Sequence, residues 1–264
     1  ARQERSPPPG APKMIDTAIR ARSVSELVDA AFALYRRDAA AYIMVTAIAS
    51  VPQMVTQLAL LGQAGNPASG GFIMAQFALA IVSLLSYALM TGVVMVLGSQ
   101  VYLGGEADVA RSIRIVVPKL GSLVAASIMR AILGVLGLLA FLVGVFYVFA
   151  RWFAVEAAIV LEDKDSSAAF ARSSVLTDGR KWHVLKTLAL GFVIYIVASI
   201  AAAIVGTMFG SEILMVIVGT AFSIFAFPIV GLLMMLLYYD SRIRAEGFDL
   251  QHMSQSMTPA AATH

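Results

Sequence analysis

Between Ala39 and Leu61, and again between Phe72 and Tyr102, the chain runs without a single charged side chain. Each run is long enough to cross lipid, since a hydrocarbon core of about 30 Å takes roughly 20 apolar residues in a helix. A soluble core cannot absorb several such runs in succession, so the bilayer must solvate most of this chain. Composition agrees: 59% of the residues are hydrophobic and 13% are charged, against about 25% charged in soluble domains.

Six spans follow from the pattern. The first, Ala39 to Leu61, ends in "GQAGNPASGG", which is loop chemistry. The second, Phe72 to about Tyr102, is long enough to tilt or to extend beyond the membrane. The stretch from Lys119 to Leu161 is too long for one span. A turn at Val143–Gly144 divides it into spans three and four, with Gly134, Gly137 and Gly144 allowing close helix approach. The alternative is one kinked helix followed by an interfacial segment. Span five runs from His183 to about Met208. Span six runs from Glu212 to Tyr239, with Ser211 as its N-cap and a kink near Phe225 caused by Pro228.

The expected fold is all-α: a polytopic membrane protein with six transmembrane helices as three hairpins, each preceded by an interfacial amphipathic helix. The membrane domain covers residues 22–250. The polar, Pro-rich residues 1–21 and the segment 251–264 read as disordered tails.

All of the nineteen Lys and Arg residues except Arg130 and Arg151 gather at one face of this arrangement. The positive-inside rule then places both termini in the cytoplasm. In "LYYDSRIRAEGFDL", Tyr238 and Tyr239 are expected at headgroup depth, with Arg242 and Arg244 against anionic lipid. Arg36, Arg37 and Trp182 are read as interfacial residues in the same way.

Three segments precede spans one, three and five: "SVSELVDAAFALYRRDAAAYIM", "GEADVARSIRIVVPKLGSLVAA" and "DSSAAFARSSVLTDGRKWHVLK". Each begins with a residue suited to a helix N-terminus, continues with apolar positions at helical spacing, and reaches a basic cluster before the span. In the first, Val24, Leu27, Val28, Ala31 and Leu34 share one face, and Ser23 to Glu26 matches a capping box. The pattern implies three copies of one unit, with each amphipathic helix resting its apolar side in the acyl boundary.

Ionisable residues inside a span are costly and are functional candidates. Glu212 sits at a helix N-terminus, which favours an acid. Counted from a turn at Gly144, Glu156 and Arg130 lie at similar depths, roughly 18 and 21 Å away, which predicts an Arg130–Glu156 pair. Arg151 is about 140° around the helix from Glu156 and needs another partner, such as helix-end carbonyls or a lipid phosphate.

Four segments carry a family resemblance: "RSVSELVDAAFALYRRD", "FYVFARWFAVEAAIVLED", "SSAAFARSSVLTDGRKWHVL" and the closing "LYYDSRIRAEGFDL". Together they resemble the membrane domain fused to some bacterial glycerophosphoryl diester phosphodiesterases, which is shared by stand-alone bacterial membrane proteins. The resemblance implies a six-span helical domain without the separate catalytic barrel. The aromatic-Arg run departs from that pattern, with "LVGVFYVF" in place of a Pro-rich turn.

Other chemistry finds little support. Cysteine is absent, so disulfides and thiolate metal sites are excluded. The histidines, His183, His252 and His264, have no metal-ligand spacing, and no cofactor or metal is expected. The thirteen methionines read as soft packing groups. "GLLAFLVG" and "ASIAAAIVG" put small residues at helix-facing spacing. Basic residues beside spans argue against nucleic acid and for membrane lipids and membrane protein partners. The expectation is a non-catalytic bacterial inner-membrane protein, structural, accessory or regulatory within a larger assembly. The alternative is a small transporter or lipid-handling protein using Arg130, Arg151 and Glu156. An intramembrane enzyme comes third, since no nucleophile–base pair can be named.

Overall fold

The computed structural model describes residues 20–62, 65, 69–138 and 143–248. Among them are ten α-helices, a single 3-10 turn and no strand. Both expected tails lie largely outside the described residues.

Helix α1 (Val24–Arg37) starts on the capping box: the Glu26 N–H donates to Ser23 Oγ at 3.4 Å and the Ser23 N–H donates to Glu26 Oε2 at 2.7 Å. The apolar runs form α2 (Ala39–Leu61) and α3 (Gly70–Tyr102), the latter capped by Ser69, which accepts from Phe72 N–H at 3.1 Å. Then come α4 (Val109–Val116), a 3-10 turn at Val117–Lys119, and α5 (Leu120–Leu138). Helices α6 (Val143–Arg151) and α7 (Val155–Glu162) lead to α8 (Ser166–Leu176). The chain closes with α9 (Lys181–Thr207) and α10 (Glu212–Glu246).

Six stretches are long and apolar enough to cross a membrane: Ala39–Leu61, Gly70–Tyr102, Val109–Leu138, Gly144–Glu162, Lys181–Thr207 and Glu212–Glu246. The chain is therefore a multi-pass membrane protein. Neighbours in sequence also pack on each other: α2 on α3, α5 on α6, and α9 on α10. Ser211 caps α10 as expected, accepting from Leu214 N–H, and Glu212 falls in its first turn.

Some boundaries match the sequence reading and others differ. The fourth apolar stretch begins at Gly144, at the expected division, and helix α6 begins at Val143; residues 139–142, between it and α5, lie outside the described residues. The glycines bring the two arms together: a Cβ on Gly137 would stand 2.8 Å from the Gly144 carbonyl carbon. The fourth stretch is interrupted at residues 152–154. Helix α10 continues past Tyr239 to Glu246, because backbone hydrogen bonding does not stop where apolar composition stops. It ends at Gly247, whose φ of 65° provides the left-handed C-cap.

Pro228 lies inside α10 and cannot donate to the Ile224 carbonyl. Thr46 Oγ1, from α2, donates to that oxygen at 2.9 Å. This cross-helix bond satisfies a group that would otherwise be unpaired in lipid and ties the first spanning helix to the last.

The three short helices share a register. Four residues after the N-caps Ser23, Asp108 and Asp165 come Leu27, Ser112 and Ala169, and all three are fully buried. The next buried positions, Ala31, Val116 and Ser173, again match. Contrary to the expectation of acyl-chain contact, these faces rest on protein: α1 on α10 and α9, α4 on α3, and α8 on α7. Burying them against helices removes the same apolar area from water as lipid would, and it fixes their direction as well.

Candidate functional site

The interruption between α6 and α7 frees backbone groups in the middle of an apolar stretch. Non-helical backbone at such a place is tolerated only where protein satisfies it. Helix α8 does most of this. Ser173 Oγ donates to the Arg151 carbonyl at 2.9 Å and accepts from Ala154 N–H at 3.2 Å. Thr177 Oγ1 donates to the same Arg151 carbonyl at 3.3 Å, and Trp152 Nε1 donates to Ser174 Oγ at 3.1 Å.

Arg130, from α5, completes the repair. Its Nη1 donates to the Trp152 carbonyl at 3.4 Å and to Glu156 Oε2 at 2.9 Å, and its Nη2 meets Glu156 Oε1. The Arg130–Glu156 pair anticipated from helical rise is thus present, with Glu156 2% exposed. The two charges cancel and join α5 to α7 across the interruption. Arg151 is not part of this pair; its Nη1 donates to Tyr147 Oη at 3.1 Å on an exposed surface.

A second polar cluster forms around the closing stretch. Tyr238 and Tyr239, expected at headgroup depth, are buried against protein. Tyr238 Oη donates to Glu162 Oε1 at 2.6 Å, and Tyr239 Oη is 2.6 Å from Ser99 Oγ. Their rings also meet Tyr102 and Phe248. An amphipathic ring suits a bilayer surface, but it equally suits the edge of a protein core where its hydroxyl finds an acid.

Arg242 and Arg244, expected against lipid, have partners within the chain. Arg242 Nε donates to Glu246 Oε2 at 3.1 Å, and its guanidinium stacks 4.3 Å from the Phe248 ring centre. Arg244 Nε donates to Asp240 Oδ2 at 2.7 Å, the i, i+4 spacing of one helical turn, and its Nη2 donates to the Arg22 carbonyl at 2.6 Å. Arg36, Arg37 and Trp182 do lie exposed, Trp182 at 75%.

Two hubs organise this end of the molecule. In one, Arg172 of α8 bridges Glu162 of α7, at 2.7 Å from Nε to Oε2, and Glu246 of α10, at 3.0 Å from Nη2 to Oε2. Hydrogen bonding to Glu246, and next to Glu162, raises the Arg172 pKa above its ordinary value against the opposing pull of burial. In the other, Asp240 accepts from the Arg22 N–H at 2.7 Å, contacts His183 Nε2 at 3.0 Å, and holds Arg244. Arg22 Nη1 also donates to Tyr102 Oη at 3.1 Å. Lys119 reaches the end of α7, meeting Asp163 Oδ1 at 2.9 Å and the Val160 carbonyl at 3.2 Å.

Residue reasoning singled out Arg130, Glu156 and the closing arginines but missed Glu162, Arg172, His183 and Glu246 as a network. Only the acid–base alternation of "YYDSRIRAE" signalled it, because the partners lie 57 to 76 residues away in the chain. No group of three metal-ligating side chains occurs among the described residues. No family model, curated protein or solved structure matches this chain.

Proposed function

We propose that this chain is a non-catalytic component of a larger assembly in the bacterial cytoplasmic (inner) membrane, serving a structural, accessory or regulatory role, with both termini in the cytoplasm. The observation that supports it is the pairing of Arg130 with Glu156, taken together with apolar surface on α9 left uncovered. The pair closes on itself and braces a broken helix, which is a structural use of membrane-embedded charge. Meanwhile Phe192, Val193, Val197, Ile200 and Ile204 of α9 are each more than half exposed. Exposed Ala201 and Ala203 lie among them, and small residues permit close approach of a partner helix.

The shared register of α1, α4 and α8 supports a threefold unit of short amphipathic helix, span, turn and span, as in the membrane domain of the glycerophosphoryl diester phosphodiesterases. The clustering of basic residues at one end supports the orientation.

Native purification in mild detergent followed by mass spectrometry tests the role. A stable complex with other membrane proteins is expected, and a lone chain retaining full cellular function overturns it. Because the chain has no cysteine, a single Cys at Gly65 tests the orientation: it should react with an impermeant maleimide from outside the cell, whereas one at Gly104 should not.

A further inference from the structure

At the end opposite the ionic hubs, side chains from four spanning helices, with Tyr195 of α9 among them, converge on a cavity of about 480 Å³. Helix α2 contributes Ser50, Gln53 and Gln57, helix α3 contributes Ser83 and Tyr87, and helix α10 contributes Thr220 and Ser223. On each helix these residues recur three or four apart, so they lie on one face.

The hydrogen bonding here is incomplete. Ser50 Oγ donates to the Thr46 carbonyl at 2.7 Å and Ser223 Oγ to the Gly219 carbonyl at 3.0 Å, which leaves their oxygen lone pairs available to accept. The side chains of Gln53, Gln57, Ser83 and Thr220 have no hydrogen-bond partner among the described residues. Two amides one turn apart on a spanning helix, half-buried and facing the cavity, offer donors and acceptors that a polar occupant can take up. The volume is that of a small-molecule site.

The lining also selects the occupant's chemistry. It offers amides, hydroxyls and the rings of Tyr87, Tyr195 and Phe227, with no charged side chain among the described lining residues. Tyr87 and Phe227 stand edge to face at 5.9 Å, which fixes the ring wall. Amides and hydroxyls beside aromatic faces suit an uncharged polyhydroxy group, whereas phosphate or carboxylate would find no cation. Tyr195 lines a second, apolar groove of about 380 Å³, whose walls include Val28, Phe32, Ile194 and Ile229. A polar cavity and a hydrocarbon groove thus share one side chain.

We propose that the cavity binds an uncharged, hydroxyl-rich group, either the sugar headgroup of a membrane glycolipid whose chain follows the adjoining groove, or a free sugar. Native mass spectrometry of the full chain in a zwitterionic amine-oxide detergent tests this. The probes are glucosyl-diacylglycerol, phosphatidylglycerol of the same acyl length, and methyl glucoside. Glucosyl-diacylglycerol should bind at least tenfold more tightly than phosphatidylglycerol. The double variant Gln53→Leu/Gln57→Leu should lose at least tenfold for the sugar probe, as removal of two hydrogen-bonding groups implies, and nothing for phosphatidylglycerol. Competition by methyl glucoside at equal concentration assigns the site to a free sugar, and its failure to compete assigns it to the lipid. Should the double variant not fold, the near-isosteric Thr220→Val should still weaken sugar binding severalfold. Equal binding of both lipids, no binding of any sugar probe, or undiminished binding by a folded variant overturns the proposal.

Discussion

The two ends of this bundle treat polar side chains in opposite ways. At the end carrying Asp240 and Arg172, acids and bases from distant parts of the chain close on one another. At the end carrying Gln53 and Thr220, the side chains of both face a cavity and have no hydrogen-bond partner among the described residues. Pairing within the chain explains the first arrangement as architecture, whereas half-buried amides and hydroxyls lining a cavity are open to an occupant from outside the chain. The difference is not one of polarity: a charged guanidinium braced by two carboxylates is internally complete, whereas a neutral amide in a cavity is not. Charge within a membrane protein is therefore a weaker pointer to a ligand than unmet hydrogen bonding.

The contrast breaks most easily at Glu156. Glu156→Ala leaves the buried Arg130 guanidinium unpaired and should cost about 4 kcal/mol, read as a fall in the detergent-unfolding midpoint. Replacing both partners with Met should recover most of that loss. If the double variant is as unstable as the single one, the pair does more than satisfy itself. At the hub, Asp240→Ala removes the acceptor for Arg22, His183 and Arg244 together. A loss of about 3 kcal/mol is expected, and trypsin should then cleave after Arg22, now released from α10. Unchanged cleavage would show that α1 docks without Asp240.

Much of the architecture was legible because lipid imposes simple rules. The first apolar run, Ala39–Leu61, coincides with α2, and Ser23, Glu26 and Ser211 marked their helix starts through local hydrogen bonds. Arg130 and Glu156 could be paired because rise per residue is fixed. What could not be read was which neighbour covers an amphipathic face. Leu27, Ala31 and Leu34 show the same periodicity whether they meet acyl chains or α10, so lipid contact was a fair expectation and an incorrect one. The partner of Tyr238 was hidden for the same reason: its acid, Glu162, lies on another helix. The polar cavity escaped notice because Gln53, Ser83 and Thr220 are unremarkable singly, and only packing brings them together.

Smaller effects test the links between the ends. Thr46→Val removes the donor to the Ile224 carbonyl and should cost about 1 kcal/mol. In a Pro228→Ala background the restored N–H can satisfy that carbonyl, and the same substitution should cost almost nothing. Equal costs in both backgrounds would mean the bond across α2 and α10 is not what matters. The capping box of α1 adds a dependence on acid. Hydrogen bonding first to Arg20, then to the Ser23 N–H, lowers the Glu26 pKa to about 2, below the ordinary value of about 4.3. Its stabilising contribution is therefore complete above the unfolded value and is lost as pH falls towards about 2. Glu26→Gln should flatten this dependence, and an unaltered acid profile would assign it to another carboxylate.

The least effect is expected where the polar groups are unmet. In the absence of ligand, Gln53→Leu/Gln57→Leu removes two amides that have no partner among the described residues and adds apolar surface suited to a bilayer. Unfolding should shift by less than about 0.5 kcal/mol, or rise slightly, because no intramolecular hydrogen bond is lost. The same measurement repeated with a saturating sugar-headed lipid should separate the two proteins, with only the parent gaining stability by mass action. A large loss in the ligand-free variant would mean that these glutamines hold the bundle together as Asp240 does, and the distinction between the two ends would vanish.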